Sequence, residues 1–115
     1  MKLLIITAAL AAITATAAQA APAPRCAADA IKRAKPLLTL HFEDDSTAVN
    51  PTISIGDEVK SLPPIKALKG TGKFDVLEVW GYIYKAEYRM RFLYAQIPDE
   101  CVLMGQEVLE ASDPY

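Results

Sequence analysis

The chain has few of the side chains that break bonds. One histidine, two cysteines and five glycines stand among its 115 residues, and each scarcity removes a class of chemistry. His41 has no second His or Cys at ligand spacing, which leaves metal catalysis without a ligand set. The cysteines, Cys26 and Cys101, form no CxxC, so dithiol oxidoreductase chemistry has no motif. No GxSxG occurs, and a triad has no obvious parts beyond one histidine. The stretch Gly70-Thr71-Gly72-Lys73 fails as a phosphate-binding loop. Ala67 stands where the first Gly belongs, and Phe74 stands where Ser or Thr must follow the Lys. No cofactor is implied.

Charge of one sign is also missing. Beyond residue 20 the chain carries 11 Lys and Arg against 14 Asp and Glu, interleaved along the sequence. Nucleic-acid binding needs a dense basic stripe, so that class of partner is set aside. The acidic run Glu43-Asp44-Asp45-Ser46 lacks the spaced oxygens and central Gly of a calcium loop and reads as a solvated turn. Asn50-Pro51-Thr52 has Pro in the position that forbids glycosylation and is also read as a turn.

One long apolar run is present, at the start. Met1-Lys2 is followed by apolar residues from Leu3 to about Ala17, then by Ala18-Gln19-Ala20 before Ala21-Pro22. A positive start, an apolar stretch of roughly 15 residues and a small-x-small site predict a bacterial secretory signal over 1–20. The run is short and Ala/Thr-rich for a membrane span, and no second run approaches that length. The expected destination is the periplasm or the medium. Residues 21–25 are expected as a flexible leader, 26–110 as one small domain and 111–115 as a disordered tail.

A domain of this size has a thin margin of stability. Two cysteines near opposite ends of it, in an oxidising compartment, predict one disulfide between Cys26 and Cys101. Helix-favouring residues from Cys26 to Lys35, with Ala27, Ala30, Ile31 and Ala34 at helical spacing, predict a short helix ended by Pro36. Alternation of Leu38, Leu40 and Phe42 with polar residues then predicts a strand, with His41 pointing outward as a surface residue. Ile53 and Ile55 predict a brief strand, Gly56-Asp57 a chain reversal, and Val59 to Leu62 a return strand that Pro63-Pro64 breaks. Ile65 to Lys69 is read as a helical turn or a strap.

The body of the fold is expected between Lys73 and Leu109, where β-branched and aromatic residues concentrate. Three strands are predicted: Phe74 to Tyr84, Tyr88 to Ile97 and Cys101 to Leu109. The segment Lys85-Ala86-Glu87 is either a turn or a bulge, since it lacks the Gly or Asn of a tight turn. In the first strand the even positions include Trp80, Tyr82 and Tyr84, while the odd ones include Leu77, Val79 and Ile83. A strand apolar on both sides belongs in the middle of a sheet, with the helix on one face and a loop, a second copy or a ligand on the other. Together these readings give an α+β fold, a short N-terminal helix packed on an antiparallel sheet of four to six strands. The order, helix then meander, is similar in layout to small cystatin-like inhibitor domains, with no motif in common.

The candidate binding residues are Trp80, Tyr82, Tyr84, Tyr88, Arg89 and Arg91. Arg89 and Arg91 lie two apart, so their guanidinium forks point the same way, a geometry that suits carboxylate, phosphate or sulfate. Pairing with Glu78, Glu87 or Glu107 across the sheet is the structural alternative. Aromatic and Arg side chains dominate protein interfaces, so a protein partner in the cell envelope is the first expectation, as for an inhibitor or accessory factor. A small apolar or sugar-like ligand on the aromatic face is the second. A hydrolase using Glu107 with Glu110, or Glu78, is the third, and it needs two carboxylates converging across a cleft.

Overall fold

In the computed structural model, residues 2–5, 7–12, 23–42 and 52–115 are described. The segment around the expected cleavage site (13–22), the acidic turn at 43–46 and Asn50-Pro51 lie outside the described residues. One helix, α1 (Ala27–His41), is followed by β1 (Ile53–Lys66), β2 (Lys73–Ile83), β3 (Ala86–Ala95) and β4 (Leu103–Glu110). The strands form one antiparallel sheet in the order β1-β2-β3-β4, and α1 packs on one face of it. No helix among the described residues is long and apolar enough to cross a membrane.

The helix runs six residues past the expected stop. Pro36 lies inside it, as do the residues read as a strand from Leu38 onward. Burial overrides propensity here. Ala27, Ala30, Ala34 and Leu38 form a stripe at spacings of three and four that seats on the sheet, and ending the helix at Lys35 would leave Leu38 off it. Pro36 costs the hydrogen bond that its missing N–H would have made to the Lys32 carbonyl, and its ring is on the exposed side. His41 is therefore no outward strand residue. Its ring meets Phe42 and Tyr88 edge-on, at centroid distances of 5.6 and 5.9 Å, and Phe42 meets Tyr88 at 5.1 Å. This aromatic group fastens the C-terminal end of α1 to β3.

Leu38 can reach the sheet because β2 carries Gly81 beneath it. A Cβ at Gly81 would fall 2.7 Å from the Leu38 side chain and 2.9 Å from that of Met90. Around this contact Leu77, Val79, Met90, Phe92 and Tyr94 close the core. Toward the other end of the helix Tyr94 donates its hydroxyl to Asp29 at 2.8 Å, and Arg33 Nε donates to the same carboxylate oxygen at 2.6 Å. Burial pushes the Tyr94 phenol up, and the Asp29 carboxylate adds to it. For Asp29, burial favours the neutral form, but the Arg33 and Tyr94 hydrogen bonds outweigh it and hold the carboxyl below its ordinary value.

Between Ile53 and Lys66 the chain does not reverse. It forms one continuous edge strand, and Gly56-Asp57 belongs to a bulge rather than a turn. Pro63 and Pro64 fall at a second register shift, and β1 resumes pairing through Ile65 opposite Phe74. An edge strand tolerates this, since half of its donors face away from the ladder. The turn after β2 is Tyr84-Lys85, with Ile83 paired to Ala86 and Tyr84 at φ 53°. Cys26, just before α1, is bonded to Cys101, just before β4, with Cα atoms 5.6 Å apart. Arg25 reinforces that corner by donating to the carbonyls of Ala95, Ile97 and Glu100 and to the Asp75 carboxylate.

Candidate functional site

Side chains alternate across a strand, so the residues that build the core on one face of β2 send their neighbours to the other. Val76, Glu78, Trp80 and Tyr82 thus lie on the face away from α1. The register places Arg89 beside Trp80, Arg91 beside Glu78 and Leu93 beside Val76. From β4, Glu107 and Leu109 stand opposite Arg91 and Arg89. No described helix or strand covers this face. Four of the six candidate residues, Trp80, Tyr82, Arg89 and Arg91, are brought together there.

The centre of the face is an ion-pair network. Glu78 is only 8% exposed, and both of its carboxylate oxygens are used. Trp80 Nε1 donates to one at 3.1 Å, and Arg91 Nε donates to the other at 3.1 Å. Arg91 also approaches Glu107 at 3.9 Å, and Arg89 Nη2 donates to Glu107 at 3.4 Å. The arginines therefore take the cross-strand partners that the sequence offered as the structural alternative. One donor stays free: Arg89 Nε is buried and has no partner among the described residues. The network orients Trp80, whose indole N–H is held by a carboxylate fixed in turn by a guanidinium.

Tyr84 and Tyr88 are placed elsewhere. Tyr84 sits at the tip of the β2–β3 turn, 86% exposed and in the left-handed region that aromatic residues rarely adopt. Tyr88 is on the opposite face, 4% exposed under the end of α1, with its hydroxyl donating to Glu110 at 3.3 Å. Burial, followed by the Glu110 charge, pushes its phenol up. Tyr88 and Glu110 thus belong to the packing of α1. Glu107 and Glu110 lie on opposite faces of β4, so they do not converge, and Glu110 pairs with a tyrosine instead of an arginine. Among the described residues no three His, Cys, Asp or Glu side chains are grouped to hold a metal ion.

Sequence reasoning missed a cavity. Ile55 pairs with Gly81 and Val59 with Val79, so Gly56, Asp57 and Glu58 stand opposite the single residue Trp80. Such a bulge lifts the extra residues off the ladder and re-aims their side chains. The resulting cavity, about 460 Å³, lies between the bulge and the rings of Trp80 and Tyr82, with Lys60 and Glu78 completing its lining. Gly56 lets the bulge lie low, since a Cβ there would come within 3.3 Å of the Trp80 carbonyl oxygen. The available signal was a Gly inside an alternating apolar pattern, which marks a bulge as readily as a turn. No protein-family model, curated protein or solved structure matches the chain, so the surface is read from its own residues.

Proposed function

We propose that the protein is a small exported interaction module that engages a partner protein of the cell envelope, as an inhibitor or accessory factor does, through the sheet face opposite α1. The observation that carries this reading is the placement of Trp80, Tyr82, Arg89 and Arg91 together on a face with no described element over it. Rings and guanidinium groups held in place lose little conformational entropy on binding, which is why they dominate interface energetics. Tyr84 supports the reading from the tip of the hairpin, because backbone strain under an exposed ring clusters at sites that make contacts. Export is supported by the Leu3–Ala17 apolar run and by a bonded Cys26–Cys101 pair, a combination that suits an oxidising compartment. Site-specific photo-cross-linking tests the face. A photoreactive residue at Tyr82 or Tyr84 is expected to trap one shared envelope protein, and the same residue at Ala28, on the exposed side of α1, is expected to trap nothing. Equal yields from all three positions would refute the assignment.

A second reading has its own observation, the bulge cavity. Its walls are aromatic and its rim mixes Asp57, Glu58 and Lys60. Donors and acceptors around a ring suit a sugar, which has an apolar face to stack and hydroxyls to pair. Trp80 is the only tryptophan in the chain, so its fluorescence reports on the cavity directly. Titration with methyl glucoside and chitobiose decides: a saturable shift supports a sugar ligand, and a flat response with both rejects it.

A further inference from the structure

The hairpin that joins β1 to β2 carries a conflict of charge. Its strands end with Lys66 directly opposite Lys73, and like charges in that position oppose strand pairing. Neither lysine makes an ion pair with a described residue. Lys69 lies in the loop between them, so the stretch from Val59 to Phe74 holds four lysines and no acid, in a chain whose acids outnumber its bases. The next carboxylate along β2, Asp75, is already committed to Arg25 and Gln96. The counter-charge has to come from outside the chain.

The other side of the same hairpin is apolar. Alternation sends Phe74 to the side away from Lys73, where it lines a cavity of about 510 Å³ with Ala67, Leu68, Lys69 and Met104. Leu68 is wholly exposed and Met104 is 53% exposed, so the apolar walls of this cavity face water. The loop also projects. The Ala67 N–H donates to the Gly72 carbonyl and closes the turn, while Gly70 and Gly72 have open space where a Cβ would stand.

We infer that this hairpin docks on a membrane surface rich in anionic lipid, with Leu68 entering the acyl boundary and Lys66, Lys69 and Lys73 meeting phosphate headgroups. Lysine stems reach a headgroup while an adjoining aliphatic side chain is buried, and apolar burial joined to basic attraction is how proteins lie on anionic interfaces. A bilayer suits the site better than a free ligand or a soluble polyanion. A single amphiphile in so open a cavity would stay half in water, whereas a lipid in a bilayer is covered by its neighbours; a polyanion would satisfy the lysines and gain nothing from Leu68 or Phe74. At the same end of the sheet Asp99 and Glu100 belong to the β3–β4 connection, and their repulsion from the surface makes the β1 side approach first. Trp80 lies seven residues along β2 from Lys73, about 23 Å at strand rise, which keeps it clear of the lipid. Phe74 and Met104 form the border between the docked tip and the open sheet face, and the docking does not rest on the protein partner proposed above.

Flotation of the oxidised chain with vesicles of phosphatidylcholine, alone or mixed with phosphatidylglycerol, tests the docking. Every variant keeps the same N-terminus, so any contribution of the Leu3–Ala17 run is common to all. The expected result is tighter binding to the mixture. Lys66→Glu should weaken it roughly tenfold or more, at about fivefold for each unit of charge, and Leu68→Ser roughly tenfold. Lys66→Glu should at the same time raise the melting temperature, because it replaces opposed like charges by an opposite pair, so its loss of binding would not be a loss of fold. Brominated phosphatidylcholine in the mixture reads the docked position: it should quench the fluorophore added by Leu68→Trp and spare the native chain, whose only tryptophan is Trp80. Equal binding to the two vesicles overturns the inference, as does a Lys66→Glu chain that binds as the native one does or melts no higher. A Leu68→Ser chain that binds as tightly as the native one overturns it in favour of an acidic protein or another soluble polyanion, and quenching of Trp80 in the native chain overturns it in favour of the sheet face.

Discussion

Reduction of the Cys26–Cys101 bond is the perturbation whose size follows most directly from the fold. The bonded residues are 75 apart in sequence. Opening a loop of that length returns to the unfolded chain an entropy worth about 4.5 kcal/mol at room temperature. Small domains have total stabilities of about 5–15 kcal/mol, so reduction should remove between about a third and nine-tenths of the stability. For a domain of fewer than 100 residues each kcal/mol moves the melting temperature by about 4–8 °C, and reduction should lower it by roughly 20–35 °C. The folded state itself should change little. Arg25 holds the same corner through three carbonyls and Asp75, which keeps the start of α1 beside the approach to β4 after the sulfurs part. The loss is therefore expected through the unfolded ensemble, with near-native circular dichroism at low temperature. Calorimetry or dichroism melts of oxidised protein, and of reduced protein with blocked thiols, give the measurement. A fall of less than about 5 °C would show that the unfolded chain is already compact across this span, and the loop-entropy reasoning would fail.

Leu38→Ala should cost about 3–4 kcal/mol, because the side chain is fully buried against the sheet. Gly81→Ala should cost about 1–2 kcal/mol by crowding it, and the double variant should be more stable than the sum of the two losses, as a denaturation cycle will show. Arg91→Ala should cost about 2–3 kcal/mol, since it strands the buried Glu78 carboxylate, whereas Arg89→Ala leaves Glu107 half-exposed and still near Arg91 and should cost under about 1 kcal/mol. Asp75 is held below its ordinary value by its Gln96 and Arg25 hydrogen bonds, against burial, and Asp29 is depressed as well. Both contribute stability that is present above about pH 3.8 and lost as pH falls through their folded values. Melts between pH 5 and pH 2 should show a steep acid limb that Asp29→Asn with Asp75→Asn flattens, and an unchanged limb would contradict this. Tyr84→Asn should raise stability by about 1 kcal/mol in urea titration, because asparagine tolerates the left-handed backbone at the turn.

Legibility in the sequence tracked how local each determinant is. The period-two pattern from Phe74 to Leu109 gave three strands, the alternation of Trp80 and Tyr82 with Leu77 and Val79 and of Arg89 and Arg91 with Tyr88 and Met90, and the central place of β2, because alternation depends on backbone geometry alone; that Trp80 and Arg89 share a face needed the register between the strands. The disulfide was legible from an even cysteine count read with the signal-like start of the chain. The helix end was not. Leu38, Leu40 and Phe42 satisfy a two-residue period, and Pro36 signals a stop, yet Leu38 also continues the stripe of Ala27, Ala30 and Ala34, and only the sheet beneath it decides between the two. Tyr84 as a turn residue was equally hidden, since nothing in a tyrosine advertises a left-handed backbone. The bulge at 56–58 escaped for a related reason: Gly-Asp reads as a turn until register with β2 shows that the strand continues past it. The same misreading concealed Asp57, Glu58 and Lys60, the lining that the bulge brings to Trp80.

A sheet with one face that no helix covers must be compatible with water and still be worth covering, and the distribution of side chains on this one answers both demands. Its middle is charged, with Glu78, Arg89, Arg91 and Glu107 in one network that water can solvate at the rim. Its ends are apolar. Trp80 and Tyr82 mark one end; at the other, Phe74 and Met104 adjoin the exposed loop residue Leu68. Eight residues separate Tyr82 from Phe74 along β2, a span of about 26 Å at strand rise, which is the scale of a protein footprint. A partner that is apolar throughout would gain at both ends and lose in the middle, where covering the half-exposed Glu107 without a donor in reach costs about 1–3 kcal/mol. A partner offering a donor opposite Glu107 avoids that loss. On the proposed reading the network would act as a filter: burial at the two ends would supply affinity, and the charged centre would select among the surfaces offered to it.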